Sequence, residues 1–81
     1  MHNLGEQKLR LWAAGKSLRG AAKELGVDYH TYVRWLEGVA PAWRNLQLLR
    51  RVVGIQYSDW AIKPSAKLER EIERAVSKAC G

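Results

Sequence analysis

Tyr29, His30, Val33 and Arg34 are the residues with most to offer an outside molecule, because on a helix the spacing i, i+1, i+4, i+5 places all four on one face. Arg34 carries the strongest chemistry. Its planar guanidinium can donate two hydrogen bonds to guanine O6 and N7, a contact that discriminates between bases by roughly 1–3 kcal/mol. Val33 can pack on a thymine methyl, and Tyr29 and His30 share the same exposed strip. Glu37, one turn further on, could accept from cytosine, although a solvated helix end is its simpler role. Each has a plainer alternative. Tyr29 can cover the helix start, His30 can be an ordinary surface histidine, and Arg34 can take a phosphate or pair with Glu37 at i+3.

A helix that reads base edges needs neighbours that hold it on a polyanion. Backbone N–H groups and basic side chains at helix starts suit phosphate. Lys16, Ser17 and Arg19 at one such start, and Arg44 and Asn45 at another, are the candidate phosphate contacts, with Lys23 a weaker one. Arg50 and Arg51 are better placed to face solvent or a partner. Composition agrees: 14 Lys and Arg against 8 Asp and Glu leave a net charge of +6 and a pI near 9.9. Ten basic and five acidic residues lie before Pro64, four and three after it. The cationic excess therefore belongs to the body of the chain, which favours a polyanionic partner.

Other function classes find little support. Cys80 is near the end of the chain, the two histidines are not spaced with other ligands, and there is no carboxylate pair or phosphate-cradling glycine loop. The expectation is a protein that is not an enzyme and has no metal, cofactor or small-molecule substrate. A single cysteine excludes an internal disulfide, which points to a reducing cytoplasmic, nucleoid-associated setting and an unpaired surface thiol at Cys80. No apolar run has the length of a signal peptide or a membrane span, so no membrane partner is expected.

The elements that must position these residues read as all-α, with apolar residues at helical spacing between glycines at 15, 26, 38 and 54. A first helix is expected from about Gly5 to Ala14, with Leu9, Trp12 and Ala13 inward. A second follows Ser17 as N-cap, with Leu18, Ala21, Ala22 and Leu25 as its apolar stripe. Gly20 sits inside it at a cost of roughly 1 kcal/mol relative to Ala, which simple tolerance or a close approach would explain, tolerance being favoured. A third follows the capping Asp28, with Tyr32, Trp35 and Leu36 inward. Pro41 suits the entrance of a fourth, in which Leu46, Leu49, Val52 and Val53 face the core until Gly54, and Ile55 is the next core residue. A short turn at Ser58–Trp60 precedes a last amphipathic helix, Ala66 to Ala79, with Leu68, Ile72, Val76 and Ala79 aligned.

The stretch Ser17 to Gly38 joins two of these helices by a turn of three residues. Such helices cross steeply, so a small side chain on the first and a glycine in the turn are needed; Ala22 and Gly26 supply them. Leu25 and Val27 flank the turn, and Tyr32 and Trp35 fold back onto the first helix. This is helix-turn-helix spacing.

With Arg10, Gly15, Ser17, Ala22, Leu25, Gly26, Val27, Thr31, Gly38, Pro41, Leu46 and the pair Gly54-Ile55, residues 8–60 resemble the lambda-type repressor and Cro (XRE-like) family of phage and bacterial transcriptional regulators. The segment from Ala22 to Trp35 is shared with resolvase and transposase modules. Gly38, Pro41 and Leu46, leading into a further helix, favour the repressor type. The resemblance implies a four- to five-helix lambda-repressor-like domain over residues 1–63, with the motif at 17–38 and an added C-terminal helix in 64–81. It also implies double-stranded DNA as partner, base contacts near Tyr29 and His30, and a further contact at Arg34. The family's acidic partner for the arginine at Arg10 is replaced here by Leu36, the acid coming one residue later at Glu37.

One such unit covers only a few base pairs, so a homodimer reading half-sites about 34 Å apart is expected. Trp43, Ile55, Tyr57, Trp60 or the last helix could build it; alternatively Leu68, Ile72 and Val76 fold back on their own core. Two other readings stand beside the repressor. One is an antitoxin- or antirepressor-like interaction module acting through the last helix, and the other is the DNA-binding part of a recombinase or transposase.

Overall fold

Five α-helices and a 3-10 turn make up the computed structural model, which describes residues 2–80 with the side chain of Cys80 excepted; the thiol expected at the surface there lies outside the described residues. The helices are α1 (Leu4–Trp12), α2 (Leu18–Leu25), α3 (Tyr29–Leu36), α4 (Trp43–Val52) and α5 (Ala66–Cys80), with the 3-10 turn at Tyr57–Ala61 between the last two. No strand occurs among the described residues.

Local chemistry sets most of the boundaries. Asn3 begins α1 by accepting from the Glu6 N–H at 2.8 Å, earlier than the start expected near Gly5. Ser17 Oγ accepts from the Gly20 N–H at 2.9 Å and starts α2. Gly20 is thus in the first turn, and a Cβ there would come within 2.8 Å of the capping hydroxyl. That hydroxyl is the free end of a flexible side chain, and N-capping serines accept from N3 residues that carry a Cβ, so no close approach of the fold demands this glycine. Asp28 accepts from the His30 N–H at 3.0 Å and starts α3. α4 begins at Trp43, two residues after the expected entrance at Pro41, and its N-cap Ala42 offers no side-chain bond.

The core is one cluster of Leu9, Ala21, Ala22, Leu25, Tyr32, Trp35, Leu46, Leu49, Ile55 and Trp60. Trp60 reaches it by lying on Gly5 of α1, where an added Cβ would meet the indole ring at 2.6 Å. The glycine makes room for the largest side chain in the fold. Four apolar residues depart from the expected inward set: Leu18, Val52, Val76 and Ala79 are exposed. In each short helix the buried arc is only as wide as its neighbours, so residues at the edge of the stripe remain in solvent.

α5 lies on α1. Gln7, fully buried, holds its start in both directions: its amide donates to the Ser65 carbonyl at 2.9 Å, and its Oε1 accepts from the Ser65 N–H at 2.7 Å. Ile72 is buried there, while the outer face of α5 is charged.

Candidate nucleic-acid interface

The elbow between α2 and α3 turns on Gly26, whose φ of +73° is left-handed and closes α2. Nothing lies within 4 Å of the position a Cβ would take there, so the backbone angle, not crowding, demands glycine. The next N–H, from Val27, donates back to the Ala22 carbonyl at 3.0 Å. Ala22 and Leu25 are buried, and Tyr32 and Trp35 pack edge to face with centroids 6.4 Å apart. Their burial fixes the rotation of α3, and its other face turns outward.

That outer face carries the residues singled out above. His30 and Arg34 are exposed, Val33 is partly exposed, and Tyr29 is half-buried. Tyr29 does more than cover the helix start. The Arg19 guanidinium, from α2, lies 4.9 Å above its ring, and the His30 imidazole meets it edge-on at 5.6 Å. Arg19, Tyr29 and His30 therefore form one contiguous group across the elbow, a cation-π contact in its middle. Sequence spacing alone did not join Arg19 to Tyr29.

Among the described residues neither Arg34 nor Arg44 belongs to an ion pair, nor do Arg50 and Arg51. Arg34 does not pair with Glu37. Lys23 and Arg44 are exposed and Asn45 is partly so. Lys16 is differently engaged: its ammonium lies 5.1 Å above the Trp12 ring and 3.5 Å from Glu24. From Gly38 to Ser58 the chain has no acidic residue, so the start of α4 and its exposed arginines form an uncompensated cationic surface.

Where α1 meets α5 and the 3-10 turn the charges are paired. Arg10 donates to Glu6 within α1 and, through its two terminal nitrogens, to Glu69 of α5 at 3.1 and 2.6 Å. These contacts raise its pKa, the Glu69 bond most. The same guanidinium, followed by the Gln7 amide, holds the Glu69 carboxyl below the usual range. Two acids thus hold Arg10, one local and one from α5. Lys8 and buried Asp59 pair at 2.8 Å.

Of the four residues offered for a partner surface, two belong to the core: Ile55 and Trp60 are buried. Trp43 and Tyr57 are 71% and 67% exposed and line one cleft with Gln47 and Arg50. Sequence reasoning missed Asn3, Gln7 and Glu69. Asn3 had a local signal in its spacing to Glu6, whereas Gln7 and Glu69 meet only through the fold. Comparison with protein-family models, with curated proteins and with solved structures finds no match to this chain.

Proposed function

We propose that this chain is a sequence-specific double-stranded DNA-binding regulator of the lambda-repressor and Cro type, with α3 as the helix that enters the major groove. One observation carries the reading. The Ala22–Gly26 elbow buries Tyr32 and Trp35 and leaves His30, Val33 and Arg34 outward beside Arg19, which presents donors and an apolar contact on one face of α3. The order of five helices, with α2 and α3 joined by a three-residue turn and packed together, supports the lambda-repressor-like fold.

In this reading Arg34 and His30 read base edges and Val33 meets a thymine methyl, with Tyr29 held beneath Arg19 as a support. Ser17, Arg19 and Lys23 on one side and Arg44 and Asn45 on the other grip phosphates; Lys16 contributes once released from Glu24. The first-turn N–H groups of α4, which have no side-chain cap, suit a phosphate oxygen. Trp43 and Tyr57 supply the dimer contact, aromatic residues beside an arginine being the composition that anchors interfaces.

Selection from a randomised duplex library with purified protein tests this directly. The expected result is an enriched palindrome whose binding weakens steeply with salt. Arg34→Ala relaxes preference at one position of each half-site, and Arg44→Ala weakens all sites alike. Equal losses on every sequence from both substitutions would remove Arg34 from base reading. Sedimentation showing only a 9.2 kDa species, even with DNA, would remove the dimer.

A further inference from the structure

Beneath α5 lies a groove of about 470 Å³, open to solvent, whose rim includes Lys16 and Ser17 of the proposed phosphate contacts. Its walls are mainly aliphatic: Ala13 and Ala14 from α1, Leu18 from α2, Leu36 from α3, and Ile72 and Val76 from α5. α5 spans it as a bridge held at both ends. At one end Arg10 and Gln7 bind Glu69 and Ser65, and at the other Ala79 lies so close to Gly15 that a Cβ there would come within 2.9 Å of its own. Leu18 and Val76 stand exposed at the mouth of the groove, so solvent enters it, and its apolar walls favour a hydrocarbon over water.

The charges at its edge restrict the occupant further. Arg10 is neutralised by Glu6 and Glu69, and Lys16 by Glu24, so no free ion is left to meet a charged ligand. The polar atoms that remain are hydroxyls. Tyr32 lines the groove, and its hydroxyl makes none of the side-chain hydrogen bonds of the described residues. Burial pushes the Tyr32 phenol up to about 12, so at neutral pH it is a donor. Ser17 lines the same space.

We infer that this groove is a binding site for a small, uncharged, largely hydrocarbon molecule with one hydrogen-bond acceptor, which the Tyr32 hydroxyl would meet. Its size falls within the range of small-molecule sites, and its lining has their usual character of apolar walls with few polar groups. Tyr32 and Leu36 belong to α3, so an occupant touches the same helix that carries Arg34.

Adamantanone, adamantane carboxylate and adamantylammonium share one hydrocarbon cage and differ in charge. Each is titrated into the isotope-labelled full chain and followed by amide chemical shifts. The ketone is expected to shift Ala14, Gly15, Leu36 and Val76 saturably and to raise Tm, the two ions binding at least about tenfold more weakly because the groove would have to desolvate them. Tyr32→Phe weakens the ketone about three- to tenfold. Val76→Trp fills the space from α5 and Leu18→Trp from α2, and whichever remains folded by circular dichroism must lose ketone binding. Shifts that do not saturate, equal binding of the ions, or undiminished binding by a folded filled variant would overturn the inference. No duplex is present, so the outcome is independent of the DNA reading.

Discussion

Arg10 and Arg34 both stand in the last turn of a short helix, yet Arg10 is clasped by two carboxylates from two helices and Arg34 is in no ion pair. The difference extends to the regions around them. Where α1 meets α5 and the 3-10 turn, Lys8, Arg10, Glu6, Asp59 and Glu69 neutralise one another and link segments distant in sequence. Along α3 and α4 the arginines are exposed and in no ion pair among the described residues. A small chain buries too little apolar surface to be secure, so polar links that close one side of the fold contribute much to it. The unpaired cations of α3 and α4 contribute little to stability and remain available to an external anion.

The largest expected effect strikes the paired side. Arg10→Ala leaves buried Glu6 without its cation and should cost about 3 kcal/mol in urea unfolding. A loss below about 1 kcal/mol would mean that the two arginines are energetically alike. Gly5→Ala comes next, since its methyl group would press on the Trp60 ring; roughly 1–3 kcal/mol of destabilisation is expected, together with a changed tryptophan emission spectrum.

A smaller effect sharpens the comparison through pH. Because the folded state lowers the Glu69 pKa, its stabilisation is present above the ordinary value of 4.5 and is lost as pH falls through the lowered one. Melting temperatures recorded downward from about pH 5 should therefore decline less steeply in Glu69→Gln than in the parent chain. An unchanged slope would take Glu69 out of the clamp. The smallest effect is expected at Arg34→Ala, whose stability should stay within about 0.5 kcal/mol of the parent while duplex selectivity changes. A large loss of stability there would make Arg34 a structural residue.

Much of the fold was legible because its signals are local. Ser17 and Asp28 cap their helices with their own side chains, and Gly26 supplies an angle other residues resist, so the elbow can be read from a dozen consecutive residues. The outward strip of α3 follows from the burial of Tyr32 and Trp35. The edges were harder. Leu18, Val52 and Val76 have the right period, but whether a residue at the margin of a stripe is covered depends on which helix lies opposite.

By itself, then, the sequence determined where the chain turns and which face of each central helix is apolar, since hydrogen bonds and dihedral preferences within a few residues decide both. The tertiary structure decided which acids hold Arg10, how Gln7 fastens Ser65, and that Arg19 rests on Tyr29. The Arg10–Glu69 and Gln7–Ser65 partners are 59 and 58 residues apart, and no local preference selects one distant partner over another until packing has brought α5 onto α1.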